Sequence, residues 1–247
     1  TCLEKAKLKV TSAGGTSSSK SPEPEPPSAA SWPESYYGYV WMKCAKLHMT
    51  SIDPKAAELG AAVLDLHKVF TTLDVPADPK EKQVAAGPVN HDNRTPALKV
   101  LCEDENQYLV LLGQPGSGKS TLVNYLGLCL SGTGLQKPEA NLDSLIEQDW
   151  SLPALLPVLV ILRDYAAKSL LKKQDIWAYV VAGLRNEGLA KSIEPLEQQL
   201  KAQGGLLLLD GLDEVPDARD HREHLRKAIL RFASDFPKAR VVVTSRP

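Results

Sequence analysis

Cysteine, long apolar runs and net charge are all in short supply in this chain, and each shortage excludes something. Four cysteines (Cys2, Cys44, Cys102 and Cys129) stand far apart among 247 residues, with no C-x-x-C pair and no metal spacing. That pattern is no disulfide framework or zinc module; it reads as reduced thiols packed as small hydrophobes. No apolar run approaches the ~20 residues a membrane-spanning helix needs, and no signal peptide is visible. With the reduced thiols, this points to the cytoplasm. The 29 Lys and Arg nearly cancel the 30 Asp and Glu, leaving a net charge of −1. Nothing in that balance argues for nucleic acid or for an acidic membrane surface. His221 and His224 form an H-x-x-H pair without a third ligand nearby and read as a polar helix face. What is present is a 43% hydrophobic content, enough for a substantial core.

The first ten residues are too short to classify. Residues 11–34 are rich in Ser, Pro, Gly and Glu; such a composition cannot bury enough apolar surface to offset its ordering entropy, so 1–34 is expected to be a flexible linker. From Ser35 the character changes. Tyr36, Tyr37, Val40, Trp41, Cys44 and Leu47 recur at helical spacing, and Asp53-Pro54 has the form of a further helix start. Residues 63–73 suggest a short strand or irregular apolar segment, 76–96 a polar connector and 97–102 a short helix. Residues 35–94 thus form a helical lead-in and connector. A linker implies something on both sides of it, and the chain starts at Thr1 and stops at Pro247 just after an apolar strand. It reads as a piece of a longer protein.

From about residue 95 to 247, apolar strands alternate with helical patterns. Strands are expected at Tyr108–Leu112, 155–162, 206–209 and 241–246. Helices are expected from Lys119 to about Leu130 (ended by Gly132 and Gly134), over 174–185, over Ile193–Gln203 and over 221–236. Alternation of this kind predicts an α/β fold, a mostly parallel sheet covered on both faces, with ligands gathering beyond the carboxyl ends of the strands.

Chemistry is concentrated at those ends. The run Gly113-Gln114-Pro115-Gly116-Ser117-Gly118-Lys119-Ser120-Thr121 follows an apolar strand and opens a helix, matching G-x-x-x-x-G-K-[ST]. Glycines there let backbone amides curl around phosphate oxygens, and the helix N-terminus adds its partial positive charge. Lys119 supplies a mobile charge for the β- and γ-phosphates, and the Ser120 hydroxyl can ligate Mg²⁺. Some ninety residues on, Leu206–Leu209 ends in Asp210, a carboxylate placed to help hold Mg²⁺ opposite Ser120. Asp213 and Glu214 follow and are candidates to polarise an attacking water. Arg246, closing the last strand, could reach a γ-phosphate, while Thr244 and Ser245 could position water. Arg163, after the strand at 155–162, could equally pair with Asp164 or another neighbouring carboxylate.

Together GQPGSGKST, LLLLDGLDEV, VVVTSRP and LPVLVILRDYA resemble the NACHT family of STAND-type phosphate-loop ATPases. The D-G-L-D-E form separates that family from most other phosphate-loop classes. Arg94 to Leu98 looks like the segment that borders the adenine end of the nucleotide in bacterial members. The resemblance implies a three-layer phosphate-loop NTPase fold over 95–247, cut short at its C-terminal side, since the family continues into a final strand, a helical subdomain and a winged helix. It further implies ATP or ADP and Mg²⁺ as cofactors, with Lys119 on the phosphates and Ser120 and Asp210 on the metal. Asp213, Glu214 and Arg246 would support hydrolysis. No guanine-reading N-K-x-D appears. An ATP-driven switch in bacterial defence or signal transduction follows, self-associating through the NTPase domain, between an N-terminal effector and a C-terminal sensor. The alternative is a binding module that holds ATP or ADP as a latch with little hydrolysis.

Overall fold

Every residue of the strand Leu206-Leu207-Leu208-Leu209-Asp210 is buried. Successive strand residues face opposite sides, so this strand is covered on both, as an interior strand of a parallel sheet must be. The computed structural model describes residues 31–47, 64–76, 94–170, 173–216 and 219–247. The expected linker over 1–30, the helix start at Asp53-Pro54 and most of the connector after Pro76 lie outside them. The strands are β1 (Lys46–Leu47), β2 (Leu64–Asp65), β3 (Asp74–Pro76), β4 (Arg94–Pro96), β5 (Tyr108–Leu112), β6 (Pro157–Ile161), β7 (Leu206–Asp210) and β8 (Arg240–Ser245). The helices are α1 (Trp32–Cys44), α2 (Leu66–Val69), α3 (Ala97–Cys102), α4 (Lys119–Gly134), α5 (Leu142–Ile146), α6 (Leu162–Tyr165), α7 (Ile176–Asn186), α8 (Ile193–Gln203) and α9 (Arg219–Asp235).

The architecture is α/β. Four strands form one sheet in the order β5-β8-β7-β6, and every pairing within it is parallel. Two small antiparallel pairs, β1–β2 and β3–β4, stand apart from it. The loop strand β5 is therefore not beside the carboxylate strand β7; β8 lies between them. At the outer side of the sheet, β5 keeps one face open: Tyr108, Val110 and Leu112 are 55%, 53% and 43% exposed, whereas Leu111 on the other face is buried. The open face continues into an apolar groove of about 740 Å³ along Leu225, Ile229 and Leu230 of α9. Among the described residues no helix is long and apolar enough to cross a membrane.

Helix α4 runs further than its glycines suggested. Gly132 and Gly134 fall inside its last turn rather than after it. They are there because α1 lies against that face. A Cβ at Gly127 would come within 2.7 Å of Cys44 Sγ, one at Gly132 would run into the Ala140 carbonyl and the Trp41 ring, and one at Gly134 into the Tyr37 ring. α1 itself begins at Trp32, so 32–34 are helix rather than linker. Ser31 and Glu34 form a reciprocal capping box with Pro33 in the first turn, an N-terminal signal in the sequence that composition masked. Tyr36 Oη donates 2.8 Å to the carbonyl of Pro157, tying α1 to the start of β6, and burial pushes its phenol well above the ordinary tyrosine range. Of the segment expected at 63–73, residues 64–73 contain a strand residue pair and a single helical turn, the compromise expected of a short apolar run with no dominant period.

Two measurements check this packing. Gly132→Ala should destabilise the protein by about 1–3 kcal/mol in urea unfolding, because overpacking outweighs a helix-propensity gain of ~1 kcal/mol. Gly38→Ala in α1, where an added Cβ meets nothing within 4 Å, should instead stabilise by about 0.5–1 kcal/mol. Burial pushes the Cys44 and Cys129 thiols from 9.0 up to about 12. Both should therefore resist thiol reagents at pH 8 when folded and react after denaturation, with mass spectrometry as the readout. The unfolded thiols lose their protons first, so stability should fall as pH climbs from 9 toward 12.

Candidate functional site

Parallel register brings the carboxyl ends of all four strands to one edge of the sheet, and the candidate residues lie along it. After β5 the chain turns at Gly113, whose amide donates to the Ser245 carbonyl at 3.2 Å. A side chain at Gly113 would come within 2.6 Å of Ser117 Oγ. Gly116 (φ +74°) and Gly118 (φ +86°) then take the left-handed conformation that side chains avoid. Gln114, Pro115 and Gly116 are exposed. Gly118 caps α4, a 16-residue helix with no side-chain cap bond. The first amides of the helix are thus left to face whatever the loop encloses.

Lys119 folds back into the loop. Its Nζ donates to the Gly113 carbonyl at 2.7 Å, the Gln114 carbonyl at 3.0 Å and Ser117 Oγ at 3.3 Å. The ammonium therefore sits among oxygens at the centre of the curl. Ser120 Oγ donates to Asp210 Oδ1 at 3.0 Å across 90 residues of sequence, joining the two motifs directly. Asp210 is only 8% exposed, and a carboxylate that buried needs partners. A second one is Thr244 on β8, which donates to the same oxygen at 2.6 Å. Thr244 Oγ1 also accepts the Gly211 amide at 2.9 Å.

Asp213 and Glu214 lie in a 3₁₀ turn over Leu212–Glu214, launched by Gly211 at φ +83°. Both are paired with arginines. Asp213 Oδ2 pairs with Arg246 Nε at 2.7 Å, and its Oδ1 accepts the Arg246 amide at 3.1 Å. Glu214 pairs with Arg163 Nη1 at 3.2 Å, and Asp164 is a looser partner of the same arginine at 3.7 Å. The structure thus brings Ser120 and Asp210 together, pairs Asp213 with Arg246 and pairs Glu214 with Arg163. For Thr121, which lies in the first turn of α4 and is partly buried, no polar partner is seen among the described residues.

The contact that Leu73 makes with the loop was not foreseen in the sequence. Leu73 Cδ1 lies 4.0 Å from where a Gly118 side chain would begin. The carbonyl of Leu73 accepts the Ala97 amide at 2.7 Å, just after β4 pairs with β3. No local pattern announces such a contact. Thr244, expected from the sequence to position water, instead has its hydroxyl on the Asp210 carboxylate and the Gly211 amide.

The residues fit a Mg²⁺–nucleotide by the chemistry of their donors. Among the described residues no group of three or more His, Cys, Asp or Glu could hold a metal alone. Magnesium does not need one, because it is usually held by one or two oxygen ligands together with phosphates and water. Ser120 and Asp210 are such a pair.

The Arg246–Asp213 contact is half-exposed on the arginine side (55%, against 21% for the aspartate). A double-mutant cycle in urea should therefore give a coupling of less than about 1 kcal/mol, falling further in high salt.

Comparison with known proteins returned no match: no protein-family model, no curated protein and no solved structure matches this chain.

Proposed function

We propose that this chain is a phosphate-loop NTPase of three-layer form that binds and hydrolyses ATP with Mg²⁺, acting as a NACHT-type signalling switch. The observation that carries the reading is the 3.0 Å bond between Ser120 Oγ and Asp210 Oδ1 at the mouth of a loop with two left-handed glycines. Two motifs predicted for opposite sides of one metal are in direct contact. The magnesium ion would supply positive charge against the β- and γ-phosphates. Lys119 exchanges its loop carbonyls for phosphate oxygens, a gain because both partners of the bond are then charged. The loop amides and the start of α4 orient the triphosphate. Either acidic residue of the 3₁₀ turn can take a proton from water once it leaves its arginine, and Arg246, released from Asp213, can meet the γ-phosphate. ATP is the nucleotide named because the resemblance is to an ATPase family. Self-association, bacterial defence and the cytoplasm belong to the same proposal.

A second reading is favoured by one observation: Asp213 and Glu214 are both held by arginines, at 2.7 and 3.2 Å. In this arrangement the site can hold a nucleotide as a latch without activating water. The two readings part on turnover.

MgATP at a hundred times its Kd should stabilise the folded protein by about 2.7 kcal/mol, raising the melting temperature by roughly 5–10 °C. Lys119→Ala should abolish that shift, and no shift for the wild-type protein at millimolar nucleotide sinks both readings. Steady-state phosphate release that disappears in Lys119→Ala and falls in Asp210→Ala supports hydrolysis. Binding without release, with a nucleotide-dependent change in size on gel filtration, supports the latch.

A further inference from the structure

We infer that Thr244 is a positioning residue for the metal-binding carboxylate, holding Asp210 so that one carboxylate oxygen stays available to a divalent cation. The inference rests on the nucleotide-site reading and gives Thr244, for which the sequence suggested a part in positioning water, a role through the carboxylate. Thr244 is 1% exposed and lies on β8 between the loop strand and the carboxylate strand. A hydroxyl has one proton to give and lone pairs to receive, and both capacities are used here. The proton goes to Asp210 Oδ1 at 2.6 Å, and the oxygen takes the Gly211 amide at 2.9 Å. With Ser120 also on Oδ1, Oδ2 has no protein partner among the described residues. Ser120 is free to turn toward a cation without releasing the carboxylate, because Thr244 keeps it.

The bland explanation is a strand threonine satisfying its own buried hydroxyl. Sequence and packing argue against it. Val241, Val242 and Val243 precede it in the same strand and are buried. Valine has the shape of threonine, strong β-propensity and no hydroxyl to satisfy, so a fourth valine would be simpler if packing were the only demand. The hydroxyl also fixes the amide of Gly211, where the chain turns at φ +83° toward Asp213 and Glu214. One side chain thereby sets the orientation of Asp210 and the start of the acidic turn.

The test uses the full chain, a fluorescent ATP analogue (mant-ATP) and a Mg²⁺ titration. Thr244→Val should raise the Mg²⁺ concentration for half-maximal binding by about tenfold or more, the usual effect of losing an outer hydrogen bond to a metal ligand. Affinity in EDTA should stay as in the wild type. Thr244→Ser, which keeps the hydroxyl, should restore the wild-type Mg²⁺ dependence. In an Asp210→Asn background Thr244→Val should add no further loss, since it acts through that carboxylate. Should the valine variant not fold by circular dichroism, Thr244→Cys, similar in size with a weak donor, is judged by the same criteria. A wild-type Mg²⁺ dependence in the valine or cysteine variant overturns the assignment while leaving the nucleotide site standing. Failure of the folded wild-type chain to bind the analogue, with or without Mg²⁺, overturns the nucleotide reading and this inference with it.

Discussion

Asp210 is the carboxylate around which the candidate site is built, and its burial is the constraint. A nearly buried anion is costly unless donors surround it. Its donors come from different places in the chain: Ser120 from the first turn of α4, and Thr244 from the end of β8. That convergence is possible only because β8 lies between β5 and β7 with all three parallel. An antiparallel strand in that position would deliver its carboxyl end to the opposite edge. Strand order and direction therefore decide whether the motifs meet.

The loop is held from behind as well. α4 is the element whose N-terminus faces the loop, and its far half is packed by α1 through the three glycines. Phe70 stacks on Tyr125 of the same helix with ring centroids 3.7 Å apart, and Leu73 reaches the loop at Gly118. The residues before the Gly113–Thr121 loop are thus part of its frame. The packing also explains why glycine is tolerated inside a helix: backbone entropy is lost, but large aromatic and thiol side chains gain contact at short range.

Each charged group at the edge of the sheet has a protein partner. Lys119 is satisfied by loop carbonyls, Arg246 by Asp213 and Arg163 by Glu214. These are exposed or half-exposed contacts, individually weak after solvent screening. A polyphosphate offers the same cations a denser negative charge and bidentate geometry. The arrangement is satisfied as it stands, yet open to exchange.

Much of this was legible in the residues alone. The alternation of apolar strands with helices determined the α/β class, because a strand buried on both faces must be apolar throughout, and Leu206–Leu209 is. That Ser120 and Asp210 would meet was legible in the two motifs, although 90 residues of sequence separate them. Helix ends were less so: Gly132 and Gly134 carry a local stop signal that packing against Trp41 and Tyr37 overrides, and the cap at Ser31 was obscured by the linker-like composition before it. Only the tertiary structure decided that Asp213 and Glu214 pair with arginines, that Leu73 borders Gly118, and that Thr244 shares an oxygen with Ser120. Those are distances between residues remote in sequence, set by strand order and side-chain direction, and no local pattern encodes them.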